Sequence, residues 1–123
     1  MILVVEPDDE TQDLITLWLQ RDGFRVVAVD NPQDGLLLMA RADARAFRGV
    51  LCAAVMPSLG VKELVERLRF LADQVPIFVM VAFDDAIPDE IASLPVQGLL
   101  KKPLVRAEVQ KCLAGLSARR PGR

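Results

Sequence analysis

Short apolar runs alternate along this chain with stretches of helical periodicity, and that alternation is what most constrains its fold. The runs fall at residues 2–5 (ILVV), 24–29 (FRVVAV), 49–57 (GVLCAAVMP), 76–82 (PIFVMVA) and 96–100 (VQGLL). Runs of this length, bounded by charged or turn residues, read as strands, and the third and fourth as strands buried on both faces. Between them, residues 8–21 carry Leu14, Ile15, Leu17, Trp18 and Leu19, while residues 61–71 repeat Val61, Leu64, Val65, Leu68 and Leu71 at helical spacing. A helix through Leu36, Leu37, Met39 and Ala40 follows Asn31-Pro32, an N-cap with proline in the first helical position. A short, weak helix is expected at 88–94, and a last one after Pro103 with Val105, Val109, Cys112 and Leu116 on one face. Asp8 or Asp9 caps the first helix, Asp9 with Gln12 fits a capping box, and Gly23 closes it. Five strands alternating with five helices predict an α/β fold. It is a doubly wound five-stranded parallel sheet with right-handed crossovers, its ligand edge at the carboxyl ends of the strands.

Composition narrows the function classes. At 123 residues the chain suits one domain, and 52% apolar with 26% charged residues is the balance of a globule rather than a disordered chain. A formal net charge of −2 provides no overall field for nucleic acid or a membrane surface. The expected division is a domain over residues 1–117 and a basic tail or linker start over 118–123, with Arg119, Arg120 and Arg123. No segment approaches the roughly 20 apolar residues of a membrane helix. The first ten residues, MILVVEPDDE, lack the basic region of a signal peptide. The expected location is therefore the cytoplasm. Cys52 and Cys112 are the two cysteines and there is no histidine, which argues against a zinc site or a Cys/His nucleophile pair. Both thiols are expected to be reduced and buried.

Four segments, ILVVEPDDE, VMPSLG, PIFVMVA and LLKKPL, carry a resemblance. Across residues 2–116 the chain resembles a receiver domain of two-component response regulators, which have the flavodoxin-like (βα)5 fold. The Lys-Pro pair after the fifth strand is the most specific of these signals. The resemblance implies a phosphoryl acceptor aspartate four residues before the Met-Pro proline, and that position holds Ala53. It implies an acidic magnesium-binding pair after the first strand, and Glu6 and Pro7 stand there. The hydroxyl expected at the end of the fourth strand is Val81, and the aromatic of the fifth strand is Leu99. Only Lys102 keeps its expected identity.

What these residues can do follows from their chemistry. Alanine is no nucleophile, and one carboxylate makes a poor octahedral magnesium site. No metal or other cofactor is expected, with Glu6 and Asp8 as the weak candidates; Asp8 reads more readily as a helix cap. Lys102 is expected to pair with Glu6, because a buried ammonium is costly alone; the alternative is an exposed surface lysine. By resemblance the Lys102-Pro103 bond is cis.

The leading expectation is a non-phosphorylatable pseudo-receiver, not an enzyme, acting as a protein-interaction or dimerisation module in bacterial signal transduction. Its partner would be a signalling protein or a fused output domain, with no direct nucleic-acid or membrane binding. By resemblance a homodimer would use the face of the fourth helix, fifth strand and fifth helix, including Leu99, Leu100, Lys101, Leu104 and Val105, unless these residues are simply core. Two alternatives stay open. One is a small-ligand sensor beside Lys102, for which no glycine-rich phosphate loop is present. The other is an atypical receiver that uses Glu6, Asp8 or Asp9 as acceptor. Asp84-Asp85 reads as a turn and helix start, with a permanently negative site as the alternative.

Overall fold

The computed structural model describes residues 1–42, 46–56, 58–82 and 87–117. Asp84, Asp85 and the 118–123 tail, all singled out from the sequence, lie outside them. The elements run β1 (Ile2–Val5), α1 (Asp9–Arg21), β2 (Val26–Val29), α2 (Pro32–Arg41), β3 (Gly49–Ala53), α3 (Val61–Leu71), β4 (Ile77–Val81), α4 (Asp89–Ala92), β5 (Gly98–Lys101) and α5 (Arg106–Ser117). The sheet order is β2-β1-β3-β4-β5 and every neighbouring pair is parallel. This is the doubly wound parallel sheet that the alternation predicts.

The central strands β1, β3 and β4 are apolar throughout because both faces are covered. Successive side chains point to opposite faces, so Leu3, Val5, Val50, Cys52, Val79 and Val81 join Met39, Leu64, Val65 and Leu68 from α2 and α3. The intervening residues Ile2, Val4, Leu51, Phe78, Met80 and Leu100 join Ile15, Leu19, Val109 and Leu113 from α1 and α5. Burial of each such side chain contributes about 1.5–3 kcal/mol before conformational entropy is counted.

Local signals set the helix ends. Asp8 caps α1, its side chain accepting from Thr11 N at 2.9 Å and Thr11 Oγ1 at 2.6 Å. The box expected at Asp9 and Gln12 does not form. Asp8 already takes the free amide, and Gln12 reaches across to the strand ends instead. At the other end Gly23 sits at φ 93°, where its N–H meets Gln20 O and the Phe24 N–H meets Leu19 O. Only a residue without a side chain adopts that conformation freely. Asn31 caps α2 with Pro32 in the first turn, as the sequence implies.

Other expectations shift. α4 spans Asp89–Ala92 rather than 88–94, because Ser93 turns its hydroxyl back to Asp89 O and Pro95 disfavours a helical Leu94. Val105 precedes α5 and is 52% exposed, so it does not share the buried face; Leu113, at 2%, holds the core position with Val109. The Lys102-Pro103 bond is cis. No helix among the described residues is long and apolar enough to cross a membrane.

The amino ends of the strands are tied by side chains. Arg69 on α3 donates to the carbonyls of Asp73, Val75 and Pro95 and to Gln97 Oε1, which also accepts from Ile77 N at 2.7 Å. Arg48, just before β3, donates to Leu116 O and lies 6.0 Å from the Phe24 ring. These contacts tie α3, β4, β5 and α5 together at one edge of the sheet.

Candidate functional site

The carboxyl ends of the strands form the opposite edge, and the register aligns them. Val5 pairs with Cys52, Ala53 with Met80, and Val81 with Lys101. Each strand therefore ends within one residue of its neighbour, and the loops that follow converge there. This is the edge where parallel α/β sheets bind ligands.

Ala53 is the last residue of β3 and is 1% exposed. Its methyl occupies the position where the resemblance places an acceptor carboxylate. Chain geometry at this point is ordinary, since Ala54 N donates to Met80 O at 2.8 Å. Val81 ends β4 at 4% exposure, and Lys102 N donates to its carbonyl at 2.8 Å. The β5 exit is thus fixed beside a side chain that offers no donor.

Glu6 is the one buried charged side chain, at 1% exposure, among the described residues. Its Oε1 lies 2.7 Å from Lys102 Nζ, and Lys102 is itself 28% exposed. Oε1 finds no other partner, so the ion pair alone compensates its burial. Oε2 accepts from Asp8 N at 3.1 Å. Glu6 N donates to Val29 O at 3.0 Å, and Gln12 Nε2 donates to Glu6 O and Val29 O, each at 3.0 Å. The β1 exit is therefore held in place, and Glu6 is aimed at Lys102 across the β1 and β5 loops. A half-exposed lysine and a buried carboxylate in contact make a nearly neutral pair, which removes the cost of an isolated buried charge.

Asp8 is spent on the cap. Its carboxyl is held below the ordinary aspartate value, first by the Thr11 hydroxyl and then by the Thr11 amide, with a smaller contribution from Lys102. Pro7 supplies no side-chain oxygen. A magnesium ion needs an octahedral oxygen shell anchored on carboxylates. Among the described residues the donors at this edge are one ion-paired glutamate and one capping aspartate, and these do not fit that ion. Among the described residues no cluster of three or more His, Cys, Asp or Glu side chains forms.

Cys52 is fully buried in β3, and desolvation pushes its thiol up to about 12. A thiol so shifted is inert as a nucleophile. Cys112 is half-buried, and burial raises it as well.

The residues read as an α4-β5-α5 interaction face do not behave alike. Lys101 is exposed and Val105 is 52% exposed. Leu99 and Leu104 are half-buried against the two core layers. Leu100 is 3% exposed and is a core residue, so it is not available to a partner. Alternation explains the correction: in a strand of a sheet covered on both faces, consecutive residues enter opposite layers. Sequence reasoning passed over Thr11 and gave Gln12 only a capping role, whereas their side chains position the Glu6 loop. Their polar types just inside a helix start were the available signal.

No protein-family profile matches the chain. In sequence it is 28% identical over 121 residues to the transcriptional regulatory protein AfsQ1 of Streptomyces coelicolor, covering 89% of this chain and 51% of that protein. It is 25% identical over 104 residues to a cyclic di-GMP phosphodiesterase of Thermotoga maritima, covering 84% of this chain and 27% of that protein. The chain thus spans about a quarter to a half of the length of these relatives. In structure it is similar to a response regulator receiver domain protein of Clostridium thermocellum. The TM-score is 0.85 at 17% identity, covering 96% of this chain and 94% of that one. It is also similar to the receiver domain of the sensor histidine kinase PA1611 of Pseudomonas aeruginosa, with a TM-score of 0.81 at 23% identity, covering 96% and 97%. That domain has a magnesium ion coordinated in its active-site cleft. The fold is the flavodoxin-like fold that the chain shares with these receiver domains.

Proposed function

We propose that this chain is a pseudo-receiver: it keeps the receiver scaffold, does not accept a phosphoryl group, and passes its signal through contact with a signalling partner or a fused output domain. One observation carries the reading. At the end of β3, where an acceptor would stand, the residue is a buried alanine, and the buried carboxylate of the same edge, Glu6, is already bound to Lys102. Phosphoryl transfer to an aspartate needs a nucleophile in line with the donor and cations or donors to take up the developing charge. Ala53 removes the first, Pro7 removes a metal anchor, and Val81 removes a hydroxyl. The surviving lysine is occupied by Glu6.

Use of another acidic residue is less well supported. Glu6 Oε1 meets Lys102 and Oε2 meets Asp8 N, while Asp8 Oδ2 meets Thr11. A small-ligand sensor has little room at this edge among the described residues. The cavity beside Ala54, lined also by Gly60, Val61 and Ile91, measures about 250 Å³. Pockets for drug-sized ligands span roughly 300–1,000 Å³.

The test is incubation with a small phosphodonor and magnesium, followed by intact mass at neutral pH. The expected result is an unmodified chain. A stoichiometric, hydroxylamine-labile adduct of one phosphoryl group would contradict the proposal.

A further inference from the structure

We propose that the α2–α3 face is a twofold contact between two copies of this chain. This rests on the reading of the chain as a contact module and names its partner. None of Glu6, Ala53 and Lys102 lines this face.

Both helices spend one side on the sheet: Met39 from α2 and Leu64, Val65 and Leu68 from α3 are core. A solvated helix carries polar residues on its other side. Here the outer side is a groove of about 530 Å³ between the helices, walled by Leu36, Leu37 and Ala40 from α2 and Phe70 and Leu71 from α3. Phe70 is 90% exposed and Leu37 49% exposed, the largest outlay of aromatic and aliphatic surface on either helix. Nothing in the monomer needs Phe70 there, since it belongs to neither core layer.

The occupant follows from what the patch carries. A twofold contact is isologous, so a surface must be complementary to itself. This one presents a projecting aromatic ring beside an apolar depression, a knob and a hole on the same patch. Its rim presents one charge of each sign, Glu66 and Arg67, adjacent on α3. Arg67 is paired within its own helix to Glu63, and Glu66 has no ion pair among the described residues. Twofold pairing sets Phe70 of each copy into the other's groove and Glu66 opposite Arg67 of the second copy, which supplies the missing countercharge. A partner of a single strong charge would meet repulsion at one of these two residues.

The helices have 10 and 11 residues, or about 15 Å each. A face of that size offers roughly half of the 800 Å² per partner of a standard interface, so the contact is weak and concentration-dependent.

Sedimentation equilibrium of the full chain between about 1 μM and 1 mM reads the equilibrium directly. The expected result is reversible monomer–dimer behaviour, weakened at least ~10-fold in Phe70→Glu, an aromatic hot spot by position and exposure. Phe70 is exposed in the monomer, so this variant retains its fold, which circular dichroism verifies. Glu66→Arg and Arg67→Glu each weaken self-association by opposing like charges. An equimolar mixture of the two restores it, because each copy then meets an opposite charge. A monomer throughout the range, a dimer indifferent to Phe70→Glu, or a mixture no tighter than its components would overturn the proposal. The phosphodonor experiment above is independent of oligomeric state, so the two readings fail separately.

Discussion

The two edges of the sheet use polar side chains in opposite ways. At the amino ends Arg69 alone contacts three backbone carbonyls and Gln97, and Arg48 reaches Leu116. These are guanidinium groups serving backbone acceptors at loop exits, a structural use. At the carboxyl ends one pair, Glu6 with Lys102, takes the centre among the described residues. Around it stand Ala53, Val81 and Pro7, none of which has a polar side-chain atom. The difference teaches how each edge is held: the amino edge by side chains bonded to backbone acceptors, the carboxyl edge by two charges that neutralise each other.

That contrast can be broken most readily at the carboxyl edge. Lys102→Met strands Glu6, which is 1% exposed, without its cation. The expected loss is about 2–3 kcal/mol in urea unfolding, below the 3–5 kcal/mol of a fully buried pair because water reaches Lys102. The double variant Glu6→Gln with Lys102→Met is expected to recover part of that loss, since no uncompensated charge remains. A single variant as stable as the parent would mean that the pair does not hold this edge.

At the amino edge Arg69→Ala removes several hydrogen bonds at once. The expected loss is about 1–2 kcal/mol, since each bond is worth little net and the freed carbonyls lie partly in reach of water. The variant should leave the carboxyl edge untouched. Hydrogen exchange should rise at Ile77 and around the α3–β4 connection, and not at Glu6 or Lys102. Equal exchange at both ends would erase the distinction.

The smallest effect belongs to Asp8, which lies at the margin of the site. Its carboxyl is depressed in the folded chain, so its cap is fully present above the ordinary aspartate value of 3.8 and is lost as pH falls through the lower folded value. Asp8→Ala is therefore expected to lower the melting temperature slightly at neutral pH. The gap to the parent should close in acid, as thermal melts across pH would record.

How much of this was legible beforehand differs by region. The strands were readable because burial on both faces leaves an unbroken apolar run, as in residues 77–81. The Ala53 position followed from its distance to the Met-Pro signal, the Val81 position from the end of the fourth strand, and the Glu6–Lys102 pairing from the two charges that survive at the β1 and β5 exits. What was not legible came from tertiary context. Leu100 cannot be told from Leu99 as core or surface until the sheet is covered on both faces. Val105 fits a helical period, yet the helix begins one residue later. The Gln12 reach to Glu6 O and Val29 O depends on two strands that only the fold brings together. The Phe70 groove depends on two helices distant in sequence.

The most direct measurement of the carboxyl edge is the melting temperature of the unmodified chain as magnesium is added to about 10 mM at constant ionic strength. An ion that binds only the folded state stabilises it by RT ln(1 + [L]/Kd). With Glu6 held by Lys102, Asp8 held by Thr11 and no carboxylate at residue 53, the predicted result is no rise. A melting temperature that climbs with the logarithm of magnesium concentration, and does so less in Glu6→Gln, would contradict the account.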